Sequence, residues 1–257
     1  MYFKDIIGQE EAKRRLLQEV AEGRVAHARL LCGPEGSGKL PLAVAYARYL
    51  CCTNRQGDDA CGTCPSCVKF NKLVHPDVHF VFPVKASSNV SDDFIREWRN
   101  LLLQTPYFSF PQWMEAMGVE NQQPLIGVKE SDEITRKLNL KSSAGGYKVM
   151  IIWLPEKMNV QSANKLLKLL EEPPRQTVFL LCKLDLKLSF LRSGTLGENV
   201  KNQRSAVDYP HSENILYVPH LYSRQLVVEN YKLCTESLKL LSELLKTSAS
   251  HARCRIK

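Results

Sequence analysis

Apolar runs and helical periodicity take turns along the first two thirds of the chain. Residues 28–32 form a short apolar run, and 41–51 follow with the spacing of a helix. Upstream, 9–22 places Ala12, Leu16 and Val20 on one side of a helix that Gly23 ends. Residues 77–84 are apolar and β-branched, the pattern of a strand. Ser91-Asp92-Asp93 offers an N-cap for a helix over 94–104. From 105 to 123 the pattern is aromatic and irregular, broken by Pro106, Pro111 and Pro124, and reads as part of an insertion over about 92–123. A helix is predicted over 128–140, a turn at Gly145-Gly146, and a buried strand over 149–154, which is apolar without alternation. A helix over 160–170 stops before Pro173-Pro174, and 177–182 is a further apolar strand. Strands alternating with helices predict an α/β fold, a mostly parallel sheet with helices on both faces.

At 257 residues the chain can bury a large core and is expected to hold more than one domain. Its hydrophobic share of 44% beside 24% charged residues is that of an ordinary soluble protein. No apolar run approaches the roughly 20 residues that span a bilayer, and no signal-peptide pattern opens the sequence. The expectation is a cytoplasmic protein with no membrane partner. The net charge of +8 suits phosphate contacts and solvated surfaces equally, so it decides nothing alone. Nine cysteines, four of them in one short stretch, point in such a protein to metal rather than disulfides.

The stretch Gly33-Pro34-Glu35-Gly36-Ser37-Gly38-Lys39-Leu40 lies between a predicted strand and a predicted helix, the setting of a phosphate-binding P-loop. Its glycines let consecutive backbone N–H groups turn around an anion, the helix start adds partial positive charge, and Lys39 would reach the outer phosphates. Gly33, Gly36, Ser37, Gly38 and Lys39 are the candidate nucleotide-binding residues. Leu40 stands where a Ser or Thr hydroxyl should hold Mg²⁺. An active ATPase of this type also needs an apolar strand ending in Asp, for the metal, and Glu, for the attacking water. The strand over 149–154 ends instead in Trp153 and Leu154, and Glu156 would replace neither without a changed backbone. These losses remove most of the electrostatic stabilisation on which phosphoryl transfer depends. The loop is therefore a degenerate P-loop: no catalytic residue is assigned and ATP binding is in doubt.

Cys52, Cys61, Cys64 and Cys67 have the spacing C-x8-C-x2-C-x2-C. Four thiolates suit a closed tetrahedral Zn²⁺ site with no open position, hence a structural one. Cys51 is an alternative to Cys52 that helix register does not separate. Only Arg55 and Lys69 supply positive charge nearby, so a zinc-stabilised nucleic-acid-binding module is the weaker reading. Cys32, Cys182 and Cys234 read as small apolar fillers.

Taken in order, Ile6-Ile7-Gly8-Gln9, Ala26-His27-Ala28, the loop 33–39, the four cysteines and His75-Pro76-Asp77 resemble the bacterial clamp-loader group of AAA+ proteins. Gly145-Gly146-Tyr147-Lys148 and the run 163–174, Ala-Asn-Lys-Leu-Leu-Lys-Leu-Leu-Glu-Glu-Pro-Pro, are similar to the same group. The resemblance covers 1–181 and implies a RecA-like P-loop domain with an embedded zinc module over 52–67. It maps the family's zinc ligands onto Cys52, Cys61, Cys64 and Cys67. The group contains ATP-hydrolysing motor subunits of DNA polymerase III and a delta-prime type that acts as a fixed wall. The lost carboxylates favour the second, with an active motor as the alternative. Implied partners are the motor subunits, the clamp-opening subunit and, through the complex, the sliding clamp and primed DNA.

Beyond 181 the resemblance stops. Ser189-Phe190-Leu191-Arg192 stands where the family has Leu-Pro-Thr-Ile, and codons exist for which a two-nucleotide shift turns one into the other. Arg192 is not assigned the family's ATP-contacting role. Residues 182–257 are expected to be a short divergent helical tail, a truncated or frame-shifted lid region too short for both a lid and a helical collar. Tyr231, Cys234, Leu238, Leu241 and Leu245 make an apolar stripe suited to packing on the chain's own domain.

Overall fold

The structure is a computed structural model that describes residues 1–85, 89–119, 122–184 and 215–217. Arg192, Cys234 and the rest of the tail stripe lie outside the described residues.

Among the described residues five strands, β1 (Ala28–Gly33), β2 (Val78–Val81), β3 (Lys148–Trp153), β4 (Thr177–Leu184) and β5 (Ile215–Tyr217), form one sheet in the order β2-β3-β4-β1-β5. Every pairing is parallel. The helices are α1 (Glu10–Ala21), α2 (Lys39–Cys51), α3 (Pro65–Asn71), α4 (Ile95–Gln104), α5 (Phe110–Ala116), α6 (Val128–Asn139) and α7 (Val160–Glu171). This is the predicted α/β architecture, a parallel sheet with helices on both faces.

Strand β3 is buried throughout because both of its faces are covered. Val149, Ile151 and Trp153 share one apolar cluster with α1, α2 and α4, including Leu16, Leu42 and Trp98. Met150 and Ile152 join the other, with Ile134 and Leu138 of α6 and Leu166 of α7. Successive side chains point to opposite faces, so one strand feeds two cores.

Several predicted boundaries move. Strand β2 stops at Val81, two residues before Pro83, rather than running to Val84. Ser91 does not cap α4. Its hydroxyl accepts from Phe82 N at 3.0 Å and donates to Phe82 O at 3.2 Å, while a 3₁₀ turn, Ser91–Phe94, precedes the helix. The stretch expected to be irregular contains α5. Ser109 Oγ accepts from Gln112 N, and Gln112 Oε1 accepts from Ser109 N at 2.7 Å, a capping box. Pro111 sits in the first turn, where its missing N–H costs no helical bond. Helix α3 starts on Pro65 for the same reason, capped by Cys64 Sγ accepting from Cys67 N.

Candidate nucleotide loop and metal centre

Parallel pairing puts the C-terminal ends of β1, β3 and β4 along one edge, where ligands of α/β sheets usually lie. The register places Leu31 of β1 and Trp153 of β3 on either side of Cys182 of β4. Cys182 joins the two ends: its Sγ donates to Lys39 O at 3.7 Å, and its carbonyl accepts from Leu154 N at 3.0 Å. It is fully buried, as is Cys32, in keeping with their expected role as apolar fillers.

The loop 33–39 has the expected P-loop course. Gly36 (φ +75°) and Gly38 (φ +87°) take the left-handed region that lets backbone turn sharply, and Gly38 is the N-cap of α2. Lys39 is turned inward. Its Nζ donates to Gly33 O at 2.8 Å, Ser37 Oγ at 3.1 Å and Pro34 O. Burial draws its pKa down to about 8, opposed by Cys182, Cys32, Glu156 and Glu35. Ser37 N is used within the loop, donating to Pro34 O at 3.3 Å.

The three positions that lack catalytic groups are buried apolar side chains lining one space: Leu40, Trp153 and Leu154. Leu154 adopts φ +55°, and a 3₁₀ turn, Pro155–Lys157, follows. Glu156 Oε1 thereby accepts from Leu184 N at 3.0 Å, and burial raises its carboxyl pKa. Sequence reasoning missed what closes the space. Tyr107, Phe108 and Phe110 line it, with Phe108 and Phe110 centroids 5.2 and 6.2 Å from that of Trp153. Four aromatics within residues 107–113 were the available signal.

The predicted metal ligands come together. The Sγ atoms of Cys52, Cys61, Cys64 and Cys67 lie within 4.8 Å of one another. Cys52 is 3.6 Å from Cys61 and 4.0 Å from Cys64, and Cys61 is 4.0 Å from Cys67. Metal–sulfur bonds of about 2.3 Å in a tetrahedron put sulfurs about 3.8 Å apart, so the cluster fits an ion of that kind. Backbone N–H groups of Cys61, Cys64 and Cys67 donate to Sγ of Cys52, Cys61 and Cys64 at 3.3–3.5 Å, orienting lone pairs and stabilising thiolates. Cys51 is excluded: its Sγ donates to Tyr147 O at 3.6 Å and burial pushes its pKa up to about 12. Asp59 and Arg48 fasten the module to the chain start. Asp59 accepts from Phe3 N and Lys4 N, and Arg48 donates to Tyr2 Oη, Cys67 O and Asn71 Oδ1.

Residues 8–188 match the family described as "DNA polymerase III, delta subunit". DNA polymerase III subunit delta' of Yersinia pestis is 34% identical over 170 residues, 65% of this chain and 39% of that protein. The delta' subunit of Pseudomonas aeruginosa is 32% identical over 156 residues, 61% and 37% of the two chains. DNA polymerase III subunit tau of Bacillus subtilis is 27% identical over 179 residues, 70% and 25%. The chain spans two fifths or less of the length of these relatives. Among the described residues no helix is long and apolar enough to cross a membrane.

Proposed function

The chain belongs to the DNA polymerase III delta-subunit family, and we propose that it is a non-catalytic, delta-prime-type subunit of the clamp loader, helping to place the sliding clamp on primed DNA in the cytoplasm. The observation that carries this reading is the end of β3. Trp153 and Leu154 fill the places of the metal-binding and water-activating carboxylates, and Leu40 that of the Mg²⁺-holding hydroxyl. Delta' relatives at 32–34% identity support the same role. Residues 1–181 make up the P-loop domain and 182–257 a divergent tail. The motor subunits hydrolyse ATP; this chain supplies a rigid neighbour.

One Zn²⁺ held by Cys52, Cys61, Cys64 and Cys67 has a structural role, since four protein ligands leave no position for substrate. It cross-links the end of α2 to the start of α3.

Co-expression with the motor subunits and the clamp-opening subunit tests the assignment. Co-elution in one complex is expected, with no phosphate release by the chain alone. Failure to co-elute overturns the role. Turnover by the isolated chain that disappears in Lys39→Ala would favour a motor instead.

A further inference from the structure

We propose that the segment 105–116 is a built-in plug that occupies the nucleotide side of the P-loop, making this chain blind to ATP and ADP. The inference concerns the loop itself and does not depend on the clamp-loader assignment.

Four contacts place the plug. Tyr107 lies against the last loop glycine, so closely that a Cβ on Gly38 would stand 3.0 Å from Tyr107 Cε1. Tyr107 Oη accepts from Ile7 N at 3.2 Å, tying the lead-in before α1 to the same point. Phe110 N donates to Glu35 Oε1 at 2.9 Å, a bond to the loop's own carboxylate. Phe108 and Phe110 pack on Trp153, the residue that replaced a metal-binding acid. Lys157 caps the arrangement, its Nζ 4.3 Å from the Phe110 ring centroid.

The space left between plug and loop is about 50 Å³, bounded by Gly36, Gly38, Lys39, Leu40, Trp153 and the three aromatics. On this measure one water needs about 10–15 Å³, and pockets for small ligands run to about 300 Å³ or more. The space suits a few waters, and a nucleotide would have to displace the aromatics. Two of the loop's anion-facing donors are also engaged: the Lys39 ammonium is spent on three loop oxygens and Ser37 N on Pro34 O. The apolar changes at 40, 153 and 154 thus have a positive use: they form the wall on which the plug seats. The P-loop serves as a socket for this chain's own residues.

The test is nucleotide binding by the full chain, read by polarisation of N-methylanthraniloyl-ADP and by competition with MgATP. The wild type is expected to show no saturable binding up to millimolar nucleotide. Tyr107→Ala/Phe110→Ala empties the socket and is expected to bind at least about tenfold better than wild type. Micromolar binding by the wild type overturns the proposal, as does a folded double variant that binds no better. If the variant does not fold, hydrogen exchange of the wild type with and without MgATP decides. Unchanged protection at 33–39 and 107–110 supports the plug; new protection at 33–39, or release of 107–110, overturns it.

Discussion

The Lys39 ammonium donates to three oxygens of its own loop while burial draws its pKa from 10.5 to about 8. The sign of the consequence follows from proton counts. Below pH 8 both folded and unfolded chains hold the proton, and the penalty for burying the charge stands in full. Between about 8 and 10.5 the unfolded chain holds a proton the folded one has lost, so stability rises with pH across that window. At about 1.36 kcal/mol per pKa unit the rise is about 3 kcal/mol. Lys39→Met removes it. Buried Cys51 and Cys182, pushed up to about 12, pull the other way over the same window, so the test is the difference: between pH 7.5 and 10.5 the wild type should gain stability relative to the variant in denaturant unfolding. Two glycines give a second residue-scale test. Gly57 (φ +58°) has open space where a Cβ would go, whereas at Gly62 (φ +79°) a Cβ would meet Tyr2 Oη at 2.6 Å. That oxygen is held by Arg48 Nη2 at 2.7 Å and cannot retreat freely. Gly57→Ala should cost about 1 kcal/mol, the left-handed penalty alone, and Gly62→Ala measurably more in the same assay.

Among elements, the cysteine cluster shows how a local site reaches further than its own loop. Cys67 Sγ lies in α3, Cys52 at the end of α2, and Asp59 between them accepts from the N–H groups of Phe3 and Lys4. Cys64→Ser is expected to lower zinc from about one ion per chain to none by elemental analysis. Hydrogen exchange should rise over 52–67 and also over residues 1–5. A protein that keeps its metal, or never carried any, would contradict this. The four cysteines that come together were legible in the sequence because their spacing is itself that of a metal-binding cluster. Cys51 against Cys52 was not, since two neighbours on a helix end differ only by which way the last turn points. Strands β3 and β4 were legible because burial on both faces leaves an unbroken apolar run. Helices α3 and α5 were not, because Pro65 and Pro111 look like breaks until a cap places them in a first turn. Tyr107 over Gly38 is a contact across 69 positions, and no local pattern announces it.

At the scale of the whole molecule, the sheet edge where a P-loop protein keeps its reacting groups is here part of the hydrophobic core. Trp153 is the joint. It lies 5.3 Å from Trp98 of α4, 5.2 Å from Phe108 and 6.2 Å from Phe110, ring centroid to centroid. Trp98 in turn stacks on Phe82 at 4.1 Å and meets Trp113 of α5 edge-on at 5.1 Å. Helices α4 and α5 are thus fastened to the sheet through Trp153. This predicts that writing the motor residues back does not restore a motor. In Leu40→Ser/Trp153→Asp/Leu154→Glu, the Trp153 change alone removes a large buried ring, a loss of about 3–5 kcal/mol, and sets a carboxylate among the aromatic rings of Trp98, Phe108 and Phe110. Leu40→Ser alone removes one buried Leu and should cost about 2–4 kcal/mol, again by cavity formation. The triple variant should therefore unfold at far lower denaturant than the wild type and, where it stays folded, release no phosphate, because Tyr107 and Phe110 still fill the socket. Phosphate release by a folded triple variant would show that the plug yields to nucleotide once the carboxylates return. The same triple change made together with Tyr107→Ala/Phe110→Ala separates the two causes: it opens the space, and any turnover it gains over the triple variant measures what the plug alone withholds.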